Sequence, residues 1–416
     1  MRGLAGLLLG LALGLLPGSA SARAYTVKPG DTLGAIARTH GCEVDDIKKA
    51  NKLDSDFLRD GQALKLPRAC RKGASRGASK GAKPVKGAKP AKGGKAEKPA
   101  KGGRKKKPVL REVLAAHGFG GRRSLKVRVI EVTLDKRGRR IVDEDVYDWE
   151  DSAHDHMDWN AASTVKLFSA VGAIERLQAK GFDSRAQVTF FGQGKAQHTV
   201  QELIEASLIK SDNLAHNRLV QLAGYDFLNG RVLKNRGLKH TAIHRPYETS
   251  RWIPMTGSRT FRETPKIVLK QGRKTATLPA EQGKHGYTCP HSAACTSVAD
   301  LAQAMRSLML HEQLGPRDRF KLDKRSLRLI RDALKAERKR GMDVVNLLEK
   351  AFKPGQVVAY HKPGFSEGWI SDVVYLYDKG SRKRWIIAAA AQPGRGALNG
   401  MATALGKALA AGDLSD

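Results

Sequence analysis

The sequence has few cysteines, few acidic residues and no hydrophobic run long enough to cross a membrane. The apolar stretch at residues 4–16 is shorter than the ~20 residues that a membrane-spanning helix needs, and Pro17-Gly18 ends it. It follows the basic residue Arg2 and precedes Ala22-Arg23-Ala24, a small-x-small cleavage pattern. Residues 1–24 are therefore predicted to be a signal peptide rather than a membrane anchor. We expect export to the periplasm or the cell exterior, in association with the cell wall.

The 416 residues contain only four cysteines, which form two local pairs along the chain. An exported protein can hold such pairs as disulfides, so we predict one disulfide between Cys42 and Cys70 and another between Cys289 and Cys295. No cysteine lies near the predicted cleavage site, so no lipid attachment is expected. A partial metal site around Cys289 and Cys295 is the alternative, but it lacks an obvious fourth ligand.

Acidic residues are scarce: 41 Asp and Glu face 75 Lys and Arg, which gives a net charge of +34. In a cytosolic protein this charge would suggest nucleic acid. Outside the membrane the available polyanions are envelope polymers, and we expect these, rather than nucleic acid, to be the binding partners.

Residues 71–107 hold fifteen Lys or Arg against Glu97 alone, within repeats of Gly, Ala and Pro. This segment cannot form a core and is predicted to be an extended linker, either binding such polymers or merely solvated.

Residues 25–70 are predicted to form a small separate domain. The pattern is a strand from Tyr25, two short apolar helices, and a closing strand that ends at Pro67. From Tyr25-Thr-Val-Lys-Pro-Gly-Asp-Thr-Leu to Leu64-Lys-Leu-Pro, the segment resembles a LysM domain. That resemblance implies binding of N-acetylglucosamine glycans such as peptidoglycan, through a loop that contains Gly30, Asp31 and Thr32. The same residues are also ordinary turn formers.

Residues 108–416 are predicted to form one large α+β domain. A hairpin at residues 127–146 and three strands between residues 356 and 390 favour one antiparallel sheet built from both ends of the domain. A small-residue helix is predicted from Leu398 to Ala411. The region between the terminal strands, from Ser163 onwards, has a helical pattern, and such a subdomain leaves a cleft at the sheet edge.

The first chemical motif is Ser163-Thr-Val-Lys166 at the start of an apolar helix. A hydroxyl is a poor nucleophile until a base removes its proton, and Lys166 lies one turn after Ser163. Burial would lower the pKa of Lys166 and let it act as that base. The Ser163 N–H, at the helix start, could bind an oxyanion. A second Ser-x-x-Lys, Ser207 to Lys210, shows that the spacing alone means little.

Two further motifs follow in the chain. Ser211-Asp-Asn213 lies between two predicted helices, where Ser211 could relay a proton and Asn213 could bind a substrate carbonyl, although the triplet is also an ordinary helix cap. Lys362-Pro-Gly364 follows a strand, so Lys362 could bind a substrate carboxylate at the sheet edge. The backbone N–H of Phe365 is the candidate second oxyanion donor.

The ordered motifs and the strands that flank them resemble class A β-lactamases, a branch of the penicillin-recognising serine hydrolases. The resemblance implies that Ser163 forms an acyl-enzyme, Lys166 assists its deprotonation, and Ser211 relays a proton. It also implies that Asn213, Lys362, Gly364 and Phe365 form the substrate site. No cofactor or metal is required by such a scheme.

Two departures from that family pattern are visible. Pro363 stands where a hydroxyl residue is usual, and the Glu-x-x-Leu-Asn pattern whose Glu activates the deacylating water is missing. Glu248, in Arg245-Pro-Tyr-Glu, is the candidate replacement. Residues 251–294 are interpreted as an insertion. Without a water activator the acyl-enzyme would persist, which favours a penicillin-binding peptidase over an efficient antibiotic-destroying enzyme.

Three hypotheses about function therefore remain. The leading hypothesis is a serine hydrolase that acts on β-lactams or on D-alanyl-D-alanine peptides. The second is a D,D-peptidase with slow deacylation, and the third is a non-catalytic glycan-binding protein with a degenerate hydrolase domain. A cluster of His154, Asp155, His156 and Asp158 is dense enough to suggest a metal, but such residues in a polar loop are usually solvated or cap helices.

Overall fold

The computed structural model describes most of the C-terminal part of the chain and shorter pieces of the N-terminal part. The described residues are 23–27, 36–37, 40–42, 44–51, 53, 62–67, 108–121, 124–191, 196–247, 263–283, 289, 293–338, 343–366, 368–392 and 394–414. The chain divides into two compact units, Met1–Ala96 and Glu97–Asp416. The predicted linker at 71–107 and nearly all of the predicted signal peptide lie outside the described residues.

The N-terminal unit pairs two short strands and packs a helix beside them. Its elements are β1 (Arg23–Thr26), α1 (Val44–Asn51) and β2 (Ala63–Leu66), and the two strands are antiparallel. The Asn51 side chain donates to the carbonyl of Lys65 at 2.8 Å and accepts from the Lys65 N–H at 2.7 Å, which fastens the helix end to β2. The buried core consists of Val27, Ile36, Ala37, Ile47, Leu64 and Leu66.

The C-terminal unit contains the remaining helices and strands of the described chain. Its helices are α2 (Leu110–Ala116), α3 (Lys166–Ala179), α4 (Val200–Leu208), α5 (Asn213–Ala223), α6 (Val298–Met309), α7 (Lys324–Leu334), α8 (Asp343–Glu349) and α9 (Gly394–Ala411). Its strands are β3 (Leu125–Leu134), β4 (Ile141–Asp148), β5 (Gln187–Phe190), β6 (Ala196–Thr199), β7 (Ala242–Ile243), β8 (Glu263–Thr264), β9 (Ile267–Gln271), β10 (Lys274–Leu278), β11 (Glu281–Gln282), β12 (Ala294–Cys295), β13 (Val357–Phe365), β14 (Ile370–Asp378) and β15 (Arg384–Ala391).

A five-stranded antiparallel sheet, in the order β13-β14-β15-β3-β4, is the centre of this unit. Strands from both ends of the unit meet in it, so the predicted α+β architecture is confirmed. Side chains alternate across a strand, and β3 uses both faces. Val127 and Val129 join one hydrophobic cluster with residues of α2 and α9, whereas Ile130 and Val132 join a second cluster with residues of α3 and α6. Helices therefore cover both faces, and β13 is left at one edge.

The expectation of a purely helical region between the terminal strands is wrong. A second sheet, in the order β10-β9-β5-β6, lies within it. These strands have only four or five residues, and β10 is mostly exposed, so their sequence carries little hydrophobic periodicity. Strand β9, from the segment interpreted as an insertion, pairs with β5 and so belongs to this second sheet.

The cysteine pairs and the search for a membrane-spanning helix bear on two further sequence predictions. Cys289 and Cys295 are joined by a disulfide with their Cα atoms 5.4 Å apart. Cys70, the predicted partner of Cys42, lies outside the described residues. Within the described ranges, no helix has both the length and the apolar composition needed to span a bilayer.

Candidate active site

Ser163 lies in a tight turn that leads directly into a buried helix. Residues Ala162–Val165 form a 3₁₀ turn, and α3 continues from Lys166. Ser163 is the second residue of the turn, so its N–H belongs to the group that has no acceptor within the helix. Ala162, just before it, has a positive φ of 46°, which is uncommon for a residue with a Cβ. The Asn160 side chain accepts from the Ala162 N–H at 2.9 Å and supports this conformation.

Lys166 carries its amine into the centre of a cluster of hydroxyl and carbonyl groups. The side chain is fully buried, and Nζ donates to Ser163 Oγ at 2.9 Å and to Asn213 Oδ1 at 2.7 Å. It also lies 2.5 Å from the Ser211 carbonyl and 3.3 Å from Ser211 Oγ. Desolvation lowers the pKa of Lys166 to about 8, and the opposing attraction of Asp212 only partly offsets it. The amine therefore loses its proton far more easily than an exposed lysine.

The Ser211-Asp-Asn213 motif joins α4 to α5 beside Lys166. Asp212 caps α5 by accepting from the Ala215 N–H at 2.6 Å, so its carboxylate is used in the turn. Ser211 has a positive φ of 57°. In this conformation its carbonyl and its hydroxyl both lie near Lys166 Nζ. With Asn213 Oδ1, the motif thus supplies three of the groups that surround the amine.

Lys362 reaches the same cluster from the edge strand β13. Its side chain is fully buried, and Nζ donates to Ser211 Oγ at 3.0 Å and to the Pro363 carbonyl at 3.0 Å. Two amines therefore lie within hydrogen-bond distance of one hydroxyl. Pro363 is compatible with this position because an edge strand does not need every backbone N–H. The Phe365 side chain, at the end of β13, is 69% exposed.

Gly364 lets β13 approach the Ser163 turn closely. A Cβ at this position would lie 2.5 Å from the Ala161 carbonyl oxygen and 2.6 Å from Ser371 Oγ, distances that real contacts essentially never reach. Only glycine therefore fits without displacement of β13 or the turn. The structure brings together Ser163, Lys166, Ser211, Asn213, Lys362 and Gly364, as the sequence predicts.

Four other predicted site residues lie outside the described residues. Glu248 is among them, as are Gly30, Asp31 and Thr32 of the predicted glycan site.

Sequence reasoning missed Tyr247, which lies against the Ser163 turn. Its hydroxyl donates to the Ala162 carbonyl, and its ring centroid is 5.8 Å from Lys166 Nζ. Asn217 holds the Tyr247 backbone with two bonds of 2.8 Å, one to its carbonyl and one from its N–H. Burial raises the pKa of Tyr247 further above its usual value, so the phenol keeps its proton.

His216 supports the same region from α5. Its Nδ1 lies 2.8 Å from Ser169 Oγ on α3, and its ring centroid is 4.9 Å from that of Tyr247. Burial, with the nearby charges of Lys166 and Lys362, holds the pKa of His216 well below its usual value, so the imidazole is neutral. The adjacent polar pair His216-Asn217 in α5 is the sequence signal that could have indicated a polar contact here.

The acidic residues of the suspected metal cluster have a partner in the structure. Lys126, which is nearly buried, donates to Asp155 at 2.8 Å and to Asp158 at 2.9 Å. The two carboxylates therefore neutralise a buried cation on β3. Among the described residues, no group of three or more His, Cys, Asp or Glu side chains is arranged to hold a metal ion.

Two sequence profiles of known families match this chain. The sequence profile described as the beta-lactamase enzyme family matches residues 144–410, and the LysM domain profile matches residues 25–67. Among curated proteins, the probable endopeptidase p60 of Listeria seeligeri is 54% identical over 46 residues, which are 11% of this chain and 9% of that protein. The probable peptidoglycan endopeptidase LytE of Bacillus subtilis (strain 168) is 50% identical over 42 residues, 10% of this chain and 13% of that protein. The chain thus spans only about a tenth of each relative.

Similar solved structures include a class A β-lactamase from Mycobacterium abscessus, at 20% identity and a TM-score of 0.45, which covers 73% of this chain and 100% of that one. A β-lactamase from Sphaerobacter thermophilus has 14% identity and a TM-score of 0.47, with 73% and 97% of the two chains covered. The family profile alone covers well over half of the 416 residues. The chain therefore belongs to the beta-lactamase enzyme family and carries an N-terminal LysM domain.

Proposed function

We propose that this protein is a serine hydrolase of the cell wall that forms an acyl-enzyme on Ser163 with β-lactams or with D-alanyl-D-alanine peptides. The observation that carries the proposal is the contact of 2.9 Å between Lys166 Nζ and Ser163 Oγ, made by an amine whose pKa is lowered to about 8. A neutral amine at that distance can accept the hydroxyl proton as the oxygen attacks a carbonyl.

Acylation then follows in two stages. Ser163 Oγ bonds to the carbonyl carbon while its proton moves to Lys166 Nζ. The N–H groups of Ser163 and Phe365 hold the oxyanion of the tetrahedral intermediate. Ser211 Oγ, 3.3 Å from Lys166 Nζ, then gives its own proton to the leaving nitrogen and takes the proton from Lys166, so that the carbon–nitrogen bond breaks and the amine is neutral again. That nitrogen belongs to the lactam ring or to the terminal D-alanine.

Substrate binding is assigned to the other groups of the site. Lys362 would bind the substrate carboxylate, and the Asn213 amide would hold a carbonyl of the acyl donor. Both β-lactams and D-alanyl-D-alanine ends present a carboxylate and an amide in this relation. The amine of Lys362, which the edge strand β13 carries into the site, supports an anionic substrate.

A D,D-carboxypeptidase or endopeptidase with slow deacylation is the second candidate. The observation in its favour is Tyr247, whose phenol lies beside Lys166 and donates to the Ala162 carbonyl. A protonated phenol that already donates its proton cannot activate a water. Among the described residues, the hydrogen bonds of Lys166 lead to hydroxyl, carbonyl and amide oxygens and none leads to a carboxylate.

The LysM domain supports attachment to peptidoglycan. We infer that it binds N-acetylglucosamine glycan strands, through residues that include Gly30, Asp31 and Thr32, and so holds the hydrolase domain close to its peptide substrate. The basic segment at 71–107 would add sequence-independent attraction to anionic envelope polymers. Export to the periplasm or the cell exterior is part of this proposal.

Mass spectrometry after treatment with penicillin tests the proposal. We expect the mass of one penicillin on the peptide that contains Ser163, and no adduct in Ser163→Ala. Complete absence of an adduct at saturating drug would leave glycan binding as the function of the chain.

Nitrocefin turnover, compared with stoichiometric fluorescent-penicillin labelling, distinguishes a β-lactamase from a D,D-peptidase. Turnover requires fast deacylation, whereas labelling does not.

A further inference from the structure

Tyr247 contacts the peptide unit that would bind the oxyanion. Its hydroxyl donates to the carbonyl of Ala162, and that carbonyl shares one planar peptide with the N–H of Ser163. In a trans peptide the C=O and N–H groups point in opposite directions. A hydrogen bond that fixes the carbonyl on one side therefore fixes the direction of the Ser163 N–H on the other.

The residue that supplies this carbonyl, Ala162, has an uncommon backbone conformation. Its φ is 46°, in a region that costs an L-residue on the order of 1 kcal/mol relative to a right-handed conformation. Rotation of the Ala162–Ser163 peptide, through ψ of Ala162 and φ of Ser163, would turn the Ser163 N–H away from the substrate carbonyl. A donor to the Ala162 carbonyl opposes that rotation.

Tyr247 is itself held at both its backbone and its ring. Asn217 bonds the backbone carbonyl and N–H of Tyr247 at 2.8 Å each, and the neighbouring His216 packs against the ring. Both residues lie on α5, whose first residue is Asn213, and His216 is in turn linked to Ser169 on the helix of Lys166. Tyr247 is therefore fixed to the helix of Lys166 and to the helix that begins at Asn213.

We propose that Tyr247 is a positioning residue for the oxyanion-binding peptide: its hydroxyl holds the Ala162 carbonyl so that the Ser163 N–H faces the reacting carbonyl. The inference rests on the proposed acylation of Ser163 and adds to it a residue that touches neither substrate nor nucleophile. A hydrogen bond to the carbonyl also polarises the peptide and makes the N–H a better donor. Tyr247 thus acts on the transition state, in which the oxyanion exists, more than on the initial complex.

The test compares Tyr247→Phe with the wild-type full-length chain. Phe keeps the ring and removes only the hydroxyl, so the contacts with His216 and Lys166 stay. We expect the rate of acylation at saturating fluorescent penicillin to fall roughly 10- to 100-fold, somewhat less than the loss of a whole oxyanion donor. The reversible dissociation constant, taken from the concentration dependence of the rate, should change less than about twofold, because the oxyanion is absent from that complex.

A second measurement uses phenylboronic acid, which forms a tetrahedral adduct with a serine hydroxyl. Its affinity should fall by the same factor as the acylation rate, since the adduct places an oxygen against the Ser163 N–H. Tyr375→Phe is the matched control. It removes a buried phenol from β14 in the same unit and should leave both values unchanged.

The outcomes are distinguishable. An unchanged acylation rate in Tyr247→Phe, with a labelled wild-type protein, would overturn this inference and leave the proposed function intact. Equal losses in rate and in reversible penicillin binding would also overturn it, because they indicate a general disturbance of the site. No labelling of the wild-type protein would overturn the proposed function and this inference with it.

Discussion

The amine of Lys166 is isolated from water and surrounded by oxygen atoms. Its neighbours are one nucleophile candidate, Ser163 Oγ, and acceptors from Ser211 and Asn213. The sequence predicts both the proximity, since the two residues are one helical turn apart, and the lowered pKa, since the helix is apolar. In the structure Lys166 Nζ lies 2.9 Å from Ser163 Oγ, and burial lowers the pKa of the amine to about 8. The acid–base behaviour of this one side chain should therefore be visible in the rate of reaction.

The rate of acylation should rise with pH and level off above about 8. The neutral amine is the proposed base, and its fraction increases tenfold per pH unit below the pKa of about 8. Stopped-flow labelling with fluorescent penicillin between pH 6 and 9.5 measures this profile. A rate that is flat or falls over that range would show that protonation of Lys166 does not limit the reaction.

Replacement of Lys166 by Ala should slow labelling of Ser163 by at least about 100-fold, the usual contribution of a general base. Peptidoglycan binding should be unaffected, because the LysM domain belongs to the other unit. Lys210→Ala is the matched control, since Lys210 has the same spacing from Ser207 as Lys166 has from Ser163, yet its side chain is exposed. Labelling that survives in Lys166→Ala would mean that another group is the base.

Tyr247 shows what sequence alone could not decide. Two adjacent residues, Tyr247 and Glu248, have suitable spacing after Ser211, and a carboxylate is the more familiar base. The backbone bonds from Asn217, thirty residues earlier, determine that Tyr247 faces the Ser163 turn. The polar pair His216-Asn217 indicates that this helix makes a polar contact, but it does not identify a partner thirty residues later.

At the scale of elements, β13 and the Ser163 turn form one packed pair. The strand carries Lys362 into the site, and Gly364 allows the approach by having no Cβ. The sequence predicts the end of this strand and the Lys362 motif, but it does not predict how closely strand and turn pack. That closeness depends on the two backbones meeting in three dimensions.

Gly364→Ala should separate this pair and reduce acylation at least tenfold, while the sheet remains folded. We expect a loss of roughly 1–3 kcal/mol in the free energy of unfolding, typical of overpacking. Gly396→Ala is the control, because a Cβ at Gly396 meets no atom within 4 Å and alanine favours its helix. Labelling kinetics and chemical denaturation measure the two effects. An unchanged rate in Gly364→Ala would contradict the assigned role of the close approach.

Three strands that the sequence predicts are buried on both faces, whereas strand β10, which it misses, is mostly exposed. Strands β3, β14 and β15 are buried on both faces and are rich in Val, Ile and Ala, which makes them visible in the sequence. Strand β10, Lys-Thr-Ala-Thr-Leu, buries only Leu278 fully and is defined mainly by its pairing with β9. Pairing of this kind is a property of the partner strand as well, so a single short segment does not reveal it.

At the scale of the whole molecule, two units with separate cores divide the proposed functions between them. A chain of residues 108–416 should acylate with penicillin at the full-length rate and fail to sediment with purified peptidoglycan. The full-length chain should sediment even at about 0.5 M salt, where screening removes attraction to the basic segment but not glycan contacts. Sedimentation of the shorter chain at that salt would place the wall-binding surface elsewhere.

The six site residues come from distant parts of the chain, so acylation of Ser163 can report on folding. Lys166 meets Ser211 across 45 residues of chain, and Lys362 meets Ser211 across 151. A partly folded molecule in which the edge strand has not yet joined the helices would lack one of the two lysines and would remain unlabelled. Pulses of fluorescent penicillin during refolding would therefore count the molecules that have completed their long-range contacts, without any mutation of the chain.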